Sequence, residues 1–126
     1  MIKKILIADD KQYMHRFVQH HLSSAGYAVI GARNGRDALE MARGEQPRLI
    51  IMDIMMGEMD GLAALKELKQ ADFTRRIPVI MIIASAHMLT REESAASGAA
   101  AFFTKPFSPT QLLLEIKRLL EEMAPA

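Results

Sequence analysis

Short apolar runs and amphipathic stretches alternate five times along this chain of 126 residues. The apolar runs have the length and branched composition of β-strands, and the stretches between them carry hydrophobic residues at helical spacing. The predicted strands cover residues 2–8, 27–31, 48–52, 79–84 and 100–103. Strands that are apolar on both faces and separated by helices favour a parallel sheet with helices packed on both sides. The pattern therefore predicts an α/β fold.

Turn and capping residues mark the ends of five predicted helices. Glycines close several of them, as expected for a helix C-terminus. Thr90 followed by Glu93 is a capping-box pattern, and Ser108-Pro109 combines an N-cap with Pro at the first helical position. The helices are predicted at residues 11–25, 34–44, 62–68, 90–98 and 108–123.

The chain has the size of one domain, which we expect to span residues 1–124, with a tail at 125–126 and no output domain. Cysteine is absent, which excludes disulfides and thiolate chemistry. The net charge of +1, without a basic run, argues against direct binding to nucleic acid. No apolar run approaches the length of a membrane span. We therefore expect a soluble, cytoplasmic protein with no membrane partner.

Charged residues follow three of the predicted strands. Asp9 and Asp10 end the first strand, Asp53 ends the third, and Lys105 follows the fifth. Parallel sheets bind ligands at the carboxyl ends of their strands. Two carboxylates about 4 Å apart repel by on the order of 4 kcal/mol, so a hard cation would be stabilising. Mg²⁺ fits all-oxygen ligands, with Mn²⁺ as an alternative. Carboxylates, magnesium and a lysine together suit phosphoryl transfer.

Four segments carry a resemblance to a known family: ILIADD, LIIMDIMMGEMDG, IPVIMIIA and FFTKPF. They resemble the blocks of response-regulator receiver domains from bacterial two-component systems, such as the chemotaxis response regulator. The resemblance covers essentially the whole chain, and the spacing of 52 residues between Asp53 and Lys105 fits the family. It implies a flavodoxin-like, doubly wound sheet of five parallel strands in the order 2-1-3-4-5, with five helices.

The resemblance also implies roles for individual residues. Asp53 corresponds to the phosphoacceptor, and Lys105 would contact the phosphoryl oxygens. Asp10 corresponds to the direct magnesium ligand, and Asp9 would act through water. Met55 would offer its backbone carbonyl to the metal.

Further positions correspond to the loop and switch residues of the family. Phe102 lies at the position of an aromatic switch. Asp60 and Gly61 would close the loop after Asp53 and start the third helix. Pro106 would follow a cis peptide bond.

The implied function is signalling rather than enzymatic turnover, although the domain would assist its own phosphorylation and dephosphorylation. A sensor histidine kinase or phosphotransfer protein would donate the phosphoryl group to Asp53. The face made by the predicted fourth helix, fifth strand and fifth helix would then change for an output protein or domain. A homodimer is a further alternative for this face.

Two positions depart from the family pattern. Gly57 stands where the family usually has Pro, which would loosen the loop by up to ~1 kcal/mol. Ile83 stands where the family has Ser or Thr, so a hydrogen bond to the phosphoryl group worth roughly 1.5–3 kcal/mol would be lost. Ser85 would compensate only if the loop after the fourth strand shifted.

Two other classes of function compete with this interpretation. Ile83 and Gly57 motivate a pseudo-receiver, an interaction module that works without phosphorylation. A phosphatase of the haloacid-dehalogenase type would need a second Asp where this chain has Met55, and a flavodoxin would need a Ser/Thr/Gly-rich loop after the first strand. Two of the three histidines of the first helix, His15 and His20, are expected on its solvated surface.

Overall fold

Strands and helices alternate along the chain in the computed structural model, which describes residues 2–57, 59–84, 93 and 96–122. All five predicted strands are present, and four helices lie within the described residues. Most of the predicted helix at 90–98 lies outside them, so α4 is the helix predicted as the fifth. The elements are β1 (Lys4–Ala8), α1 (Gln12–Ser24), β2 (Ala28–Ala32), α2 (Gly35–Glu45), β3 (Leu49–Asp53), α3 (Gly61–Gln70), β4 (Val79–Ala84), β5 (Ala101–Lys105) and α4 (Pro109–Glu122).

The strands form one parallel sheet in the order β2-β1-β3-β4-β5. This arrangement confirms the predicted flavodoxin-like topology. The chain moves to one side of β1 to form β2 and to the other side to form β3. The crevice for a ligand in such a sheet lies at this change of direction, at the carboxyl ends of β1 and β3.

Two hydrophobic clusters cover the two faces of the sheet. Alternate residues of each strand point to opposite faces, so neighbouring residues such as Met81 and Ile82 belong to different clusters. Helices α2 and α3 pack on one face, and α1 and α4 pack on the other. Central strands buried on both sides explain why the apolar runs lack polar interruptions.

Two strands extend beyond the predicted apolar runs into charged residues. β3 includes Asp53, which pairs with Ile82, and β5 includes Lys105, which pairs with Ala84. Backbone pairing continues one or two residues beyond the predicted apolar run, and so includes the charged residue itself. The charged groups are therefore carried on the ends of the sheet itself.

None of the helices in the described part of the chain is long and apolar enough to cross a bilayer.

Candidate functional site

Three carboxylates converge where β1 and β3 end. Oxygen atoms of Asp9, Asp10 and Asp53 all lie within 4.8 Å of one another. The pairing of Ala8 with Met52 in the sheet brings Asp9 beside Asp53. Asp9 and Asp53 are 1% and 2% exposed, whereas Asp10 is open to solvent. The cluster thus has a buried floor and an accessible rim.

Lys105 reaches this cluster from the end of β5. Its Nζ lies 3.3 Å from Asp53 Oδ2 and 3.6 Å from Asp9 Oδ2. Because β4 separates β3 from β5, the lysine side chain crosses the end of β4 to reach the carboxylates. The Lys105–Pro106 peptide bond is cis. One ammonium group thus faces two buried carboxylates.

Asp9 lies in an environment that opposes its charge. Burial raises the pKa of its carboxyl group, and the nearby charge of Asp53 acts in the same direction. The backbone N–H of Lys11, which donates to Oδ1 at 2.8 Å, and the charge of Lys105 both lower that pKa. The net shift is upward. Asp9 Oδ2 is buried without a hydrogen-bond donor among the described residues, although Lys105 lies within ion-pair distance.

These groups match the requirements of a small divalent cation. Carboxylate oxygens are the ligands that magnesium prefers, and Asp9 has a buried oxygen free to accept a hydrogen bond from a bound water. On the rim, Asp10 pairs with the Lys11 ammonium at 3.2 Å, and this hydrogen bond raises the pKa of Lys11. Both side chains are more than 40% exposed, so the pair is weakly held and open to replacement.

The residues after Asp53 approach the same cluster. The backbone N–H of Met55 donates to Asp53 Oδ1 at 3.3 Å, while the Met55 side chain is 48% exposed. Asp53 thus has one oxygen next to a backbone N–H and the other next to Lys105.

Gly61 packs against the backbone of Asp53 at the start of α3. Its N–H donates to the carbonyl of Ile54 at 2.8 Å, and a Cβ atom at this position would lie 2.3 Å from the Asp53 carbonyl oxygen. Asp60 caps α3 by accepting a hydrogen bond from Ala63 N at 2.8 Å. Gly57, in the same loop, has no atom within 4 Å of an added Cβ. A side chain at position 61 would therefore clash with the backbone of Asp53, whereas position 57 has room for one.

The sequence interpretation missed a second close approach, at Gly35. The Gly35 N–H donates to the Met59 carbonyl at 3.2 Å, and a Cβ would lie 2.6 Å from that oxygen. In the sequence, the Asn34-Gly35 pair indicates a turn or a helix cap, and Asn34 indeed accepts a hydrogen bond from Asp37 N. Nothing in the local sequence indicates that the loop after Asp53 rests on α2.

Ile83 and Phe102 lie together on the α2–α3 side of the sheet. Ile83 is 5% exposed and belongs to the hydrophobic cluster against which Phe102 packs. Phe103 belongs to the opposite cluster and contacts Phe107. The position expected to hold a hydroxyl is thus a core position occupied by a hydrocarbon side chain. Ser85 lies outside the described residues.

His15 is not a solvated surface residue, so the expectation for it was wrong. It is only partly exposed, and its Nε2 lies 2.7 Å from the backbone oxygen of Asp9. His20 is exposed, as expected. His15 lies in the first turn of α1, close in sequence to the end of β1. Helical spacing alone does not show that its ring reaches the backbone oxygen of Asp9.

A family model described as the response regulator receiver domain matches residues 5–117. The chain belongs to this family. The receiver is 35% identical over 120 residues to the alkaline phosphatase synthesis transcriptional regulatory protein PhoP of Bacillus subtilis, covering 95% of the chain and 49% of PhoP. It is 36% identical to the polar-differentiation response regulator DivK of Brucella anthropi, covering 95% of the chain and 98% of DivK. The chain spans about half the length of PhoP and of two probable transcriptional regulators named ycf27 that it also matches.

Solved structures are similar over nearly the whole receiver. One is the receiver domain of a sensor histidine kinase from Pseudomonas aeruginosa, with a magnesium ion coordinated in its active site cleft. It has a TM-score of 0.86 and 26% identity, covering 96% of the receiver and 99% of that chain. The receiver therefore belongs to the domain family of two-component systems in both sequence and fold.

Proposed function

We propose that this receiver accepts a phosphoryl group on Asp53 with the help of magnesium. The observation that carries the proposal is the position of Asp53, which lies 3.3 Å from Lys105 Nζ and within 4.8 Å of two further carboxylates. The magnesium-bound receiver domain from Pseudomonas supports the metal as a general partner of such a cleft.

The donor in this proposal is the phosphohistidine of a sensor histidine kinase or phosphotransfer protein. A carboxylate oxygen of Asp53 attacks phosphorus, an O–P bond forms, and the P–N bond breaks with its electron pair returning to the imidazole. Lys105 neutralises charge on the phosphoryl oxygens, and the Met55 N–H holds the carboxylate in place. When bound, magnesium supplies further neutralisation of that charge.

Each acidic residue has a separate part in holding the metal. Asp10, on the exposed rim, and Asp53 are the proposed direct carboxylate ligands, and Met55 contributes its backbone carbonyl. Asp9, whose Oδ2 is buried and free of donors within the described residues, is proposed to act through a water molecule. Manganese is an alternative ion, since it also prefers oxygen ligands.

The phosphorylated domain, taken as residues 1–124, would act in the cytoplasm and signal to an output protein or domain. The surface proposed to change on phosphorylation comprises residues 90–98, β5 and α4. Phe102, which packs against the hydrophobic cluster that contains Ile83, is the proposed aromatic switch because of its correspondence to the family's switch position. A homodimer through this surface is an alternative to a separate output partner.

Ile83 favours a second candidate function, a pseudo-receiver that binds partners without phosphorylation. The buried isoleucine lacks the hydroxyl that would donate a hydrogen bond to the phosphoryl group. Loss of this bond would weaken binding of the phosphoryl group by about ten- to a hundredfold. The convergence of three carboxylates and Lys105 nevertheless supports phosphoryl acceptance.

Intact-mass measurement after treatment with acetyl phosphate and magnesium separates the two candidates. The wild-type protein should gain one phosphoryl group, whereas Asp53→Asn and a sample containing EDTA should not. Asp72→Asn, at a side chain that is 88% exposed and far from the site, is the matched control and should gain the group normally. Absence of a gain in the wild-type protein, or a gain that persists in Asp53→Asn, would favour the pseudo-receiver.

A further inference from the structure

The turn between β1 and α1 is held together through the backbone and side chain of Asp9. Its N–H donates to the Ala32 carbonyl of β2 at 3.0 Å. Its Oδ1 accepts from the Lys11 N–H at 2.8 Å, and its carbonyl oxygen lies 2.7 Å from His15 Nε2. Since a carbonyl oxygen only accepts hydrogen bonds, His15 Nε2 is the donor. His15 is therefore the side chain from α1 that ties this turn to the helix.

The carbonyl that His15 holds belongs to the peptide linking Asp9 to Asp10. A peptide unit is planar, so the direction of its carbonyl fixes the plane in which both Cα atoms lie. A carbonyl held in one direction therefore restricts the directions of the Cα–Cβ bonds of both Asp9 and Asp10. One of these side chains forms the buried floor of the acidic cluster, and the other forms its exposed rim.

Gly31 provides the space that the imidazole occupies. A Cβ atom on Gly31 would lie 2.4 Å from His15 Nδ1 and 2.8 Å from Cε1. The backbone angles of Gly31 are not of the left-handed type that favours glycine, so its lack of a side chain matters here for packing. The ring is thus confined between β2 and the Asp9 carbonyl.

We infer that His15 is a positioning residue that orients the two carboxylates for metal binding. This inference rests on the proposed magnesium-dependent function and extends it to a group that does not touch the metal. Residues that orient metal ligands from outside typically change metal affinity about 10- to 100-fold when they are replaced. The hydrogen bond to the Asp9 carbonyl, rather than the bulk of the ring, is the part that matters.

Four variants of the full chain test this role by calorimetric titration with Mg²⁺. His15→Leu removes the donor, and it should weaken magnesium binding by about tenfold. His15→Gln places an amide nitrogen at the same number of bonds from Cα, and it should recover most of the affinity. Gly31→Ala, which displaces the ring, should resemble His15→Leu. His20→Leu, at an exposed site on the same helix, is the control and should bind like the wild type.

The NMR signals of the Asp10 and Lys11 amides give a metal-free readout. In EDTA both should shift in His15→Leu, and the Lys11 N–H should exchange faster with solvent. Wild-type affinity in His15→Leu, or equal losses in His15→Leu and His15→Gln, would overturn the inference. A wild-type protein that fails to bind magnesium would instead overturn the proposed function. The amide readout would then still decide whether His15 holds the turn.

Discussion

Asp9 combines almost complete burial with a carboxylate oxygen that lacks a hydrogen-bond donor within the described residues. Asp53 adds a second buried negative charge nearby, and Lys105 compensates for only part of this charge. Such an arrangement lowers the stability of the metal-free fold, because burial without full pairing disfavours the charged form. The same features make the site receptive to a cation. At this scale, function and stability therefore oppose one another.

Replacing Asp9 by Asn should raise the free energy of unfolding by about 1 kcal/mol in EDTA, because one buried negative charge is removed. Urea unfolding measures the change, with the exposed Asp72→Asn as the control. Burial raises the pKa of Asp9, so its charge destabilises the fold only as the pH rises through that pKa. The advantage of the variant should therefore shrink at acidic pH. An unchanged or lowered stability at neutral pH would contradict this prediction.

Ile83→Thr should strengthen binding of the phosphoryl mimic beryllofluoride by about tenfold, because it introduces a hydroxyl donor at the position where the family has Ser or Thr. Ile83→Val is the matched control, since valine has the shape of threonine without the hydroxyl. Ile83→Val should lose about 1 kcal/mol of stability, and Ile83→Thr should lose more in the absence of the mimic, because its hydroxyl enters an apolar cluster. Titration in the presence of magnesium measures the affinities. Equal affinities for the two variants would show that the hydroxyl contributes nothing.

At the scale of elements, the site depends on how closely α3 approaches the end of β3. The N-terminus of α3 contacts the backbone of Asp53 through Gly61, and the loop between them rests on α2 through Gly35 and Met59. The position of the Asp53 carboxylate is therefore linked to two helices on the same face of the sheet. A change in either contact would be transmitted to the site through the backbone.

Gly61→Ala should lower the free energy of unfolding by about 1–3 kcal/mol, since the added Cβ would lie 2.3 Å from the Asp53 carbonyl oxygen. Gly57→Ala, in the same loop but with open space around it, should instead raise that free energy by about 0.4–1 kcal/mol. Urea unfolding of both proteins provides the comparison. Similar changes in the two variants would show that the close approach is not the cause.

The sequence predicts those parts of the fold that depend on local patterns. Apolar runs identify the strands, and the acidic residues that end them indicate where a cation would be held. Gly35, Gly61 and His15 are different, because their importance arises from atoms contributed by distant segments. A lone glycine or histidine has the same local signature whether or not another backbone lies against it. The ends of β3 and β5 were underestimated because backbone pairing does not stop where a side chain becomes charged.

At the scale of the whole molecule, the sheet order brings together groups that are remote in sequence. Asp9 directly follows β1, and Asp53 and Lys105 end β3 and β5, so the three residues meet only when the strands are assembled in the native order. The unfolded chain cannot maintain this arrangement. A cation that binds the cluster must therefore favour the folded state over the unfolded state.

Magnesium should consequently stabilise the entire domain. At a free concentration about 100 times the dissociation constant, linkage predicts an increase of about 2.7 kcal/mol in the free energy of unfolding. For a domain of this size such a gain corresponds to a rise in Tm of roughly 6–15 °C, which thermal unfolding followed by circular dichroism can measure. Sodium chloride at equal ionic strength is the control, because general screening does not require the cluster. Asp10→Asn should remove most of the increase, and an equal gain in that variant would place the bound magnesium elsewhere.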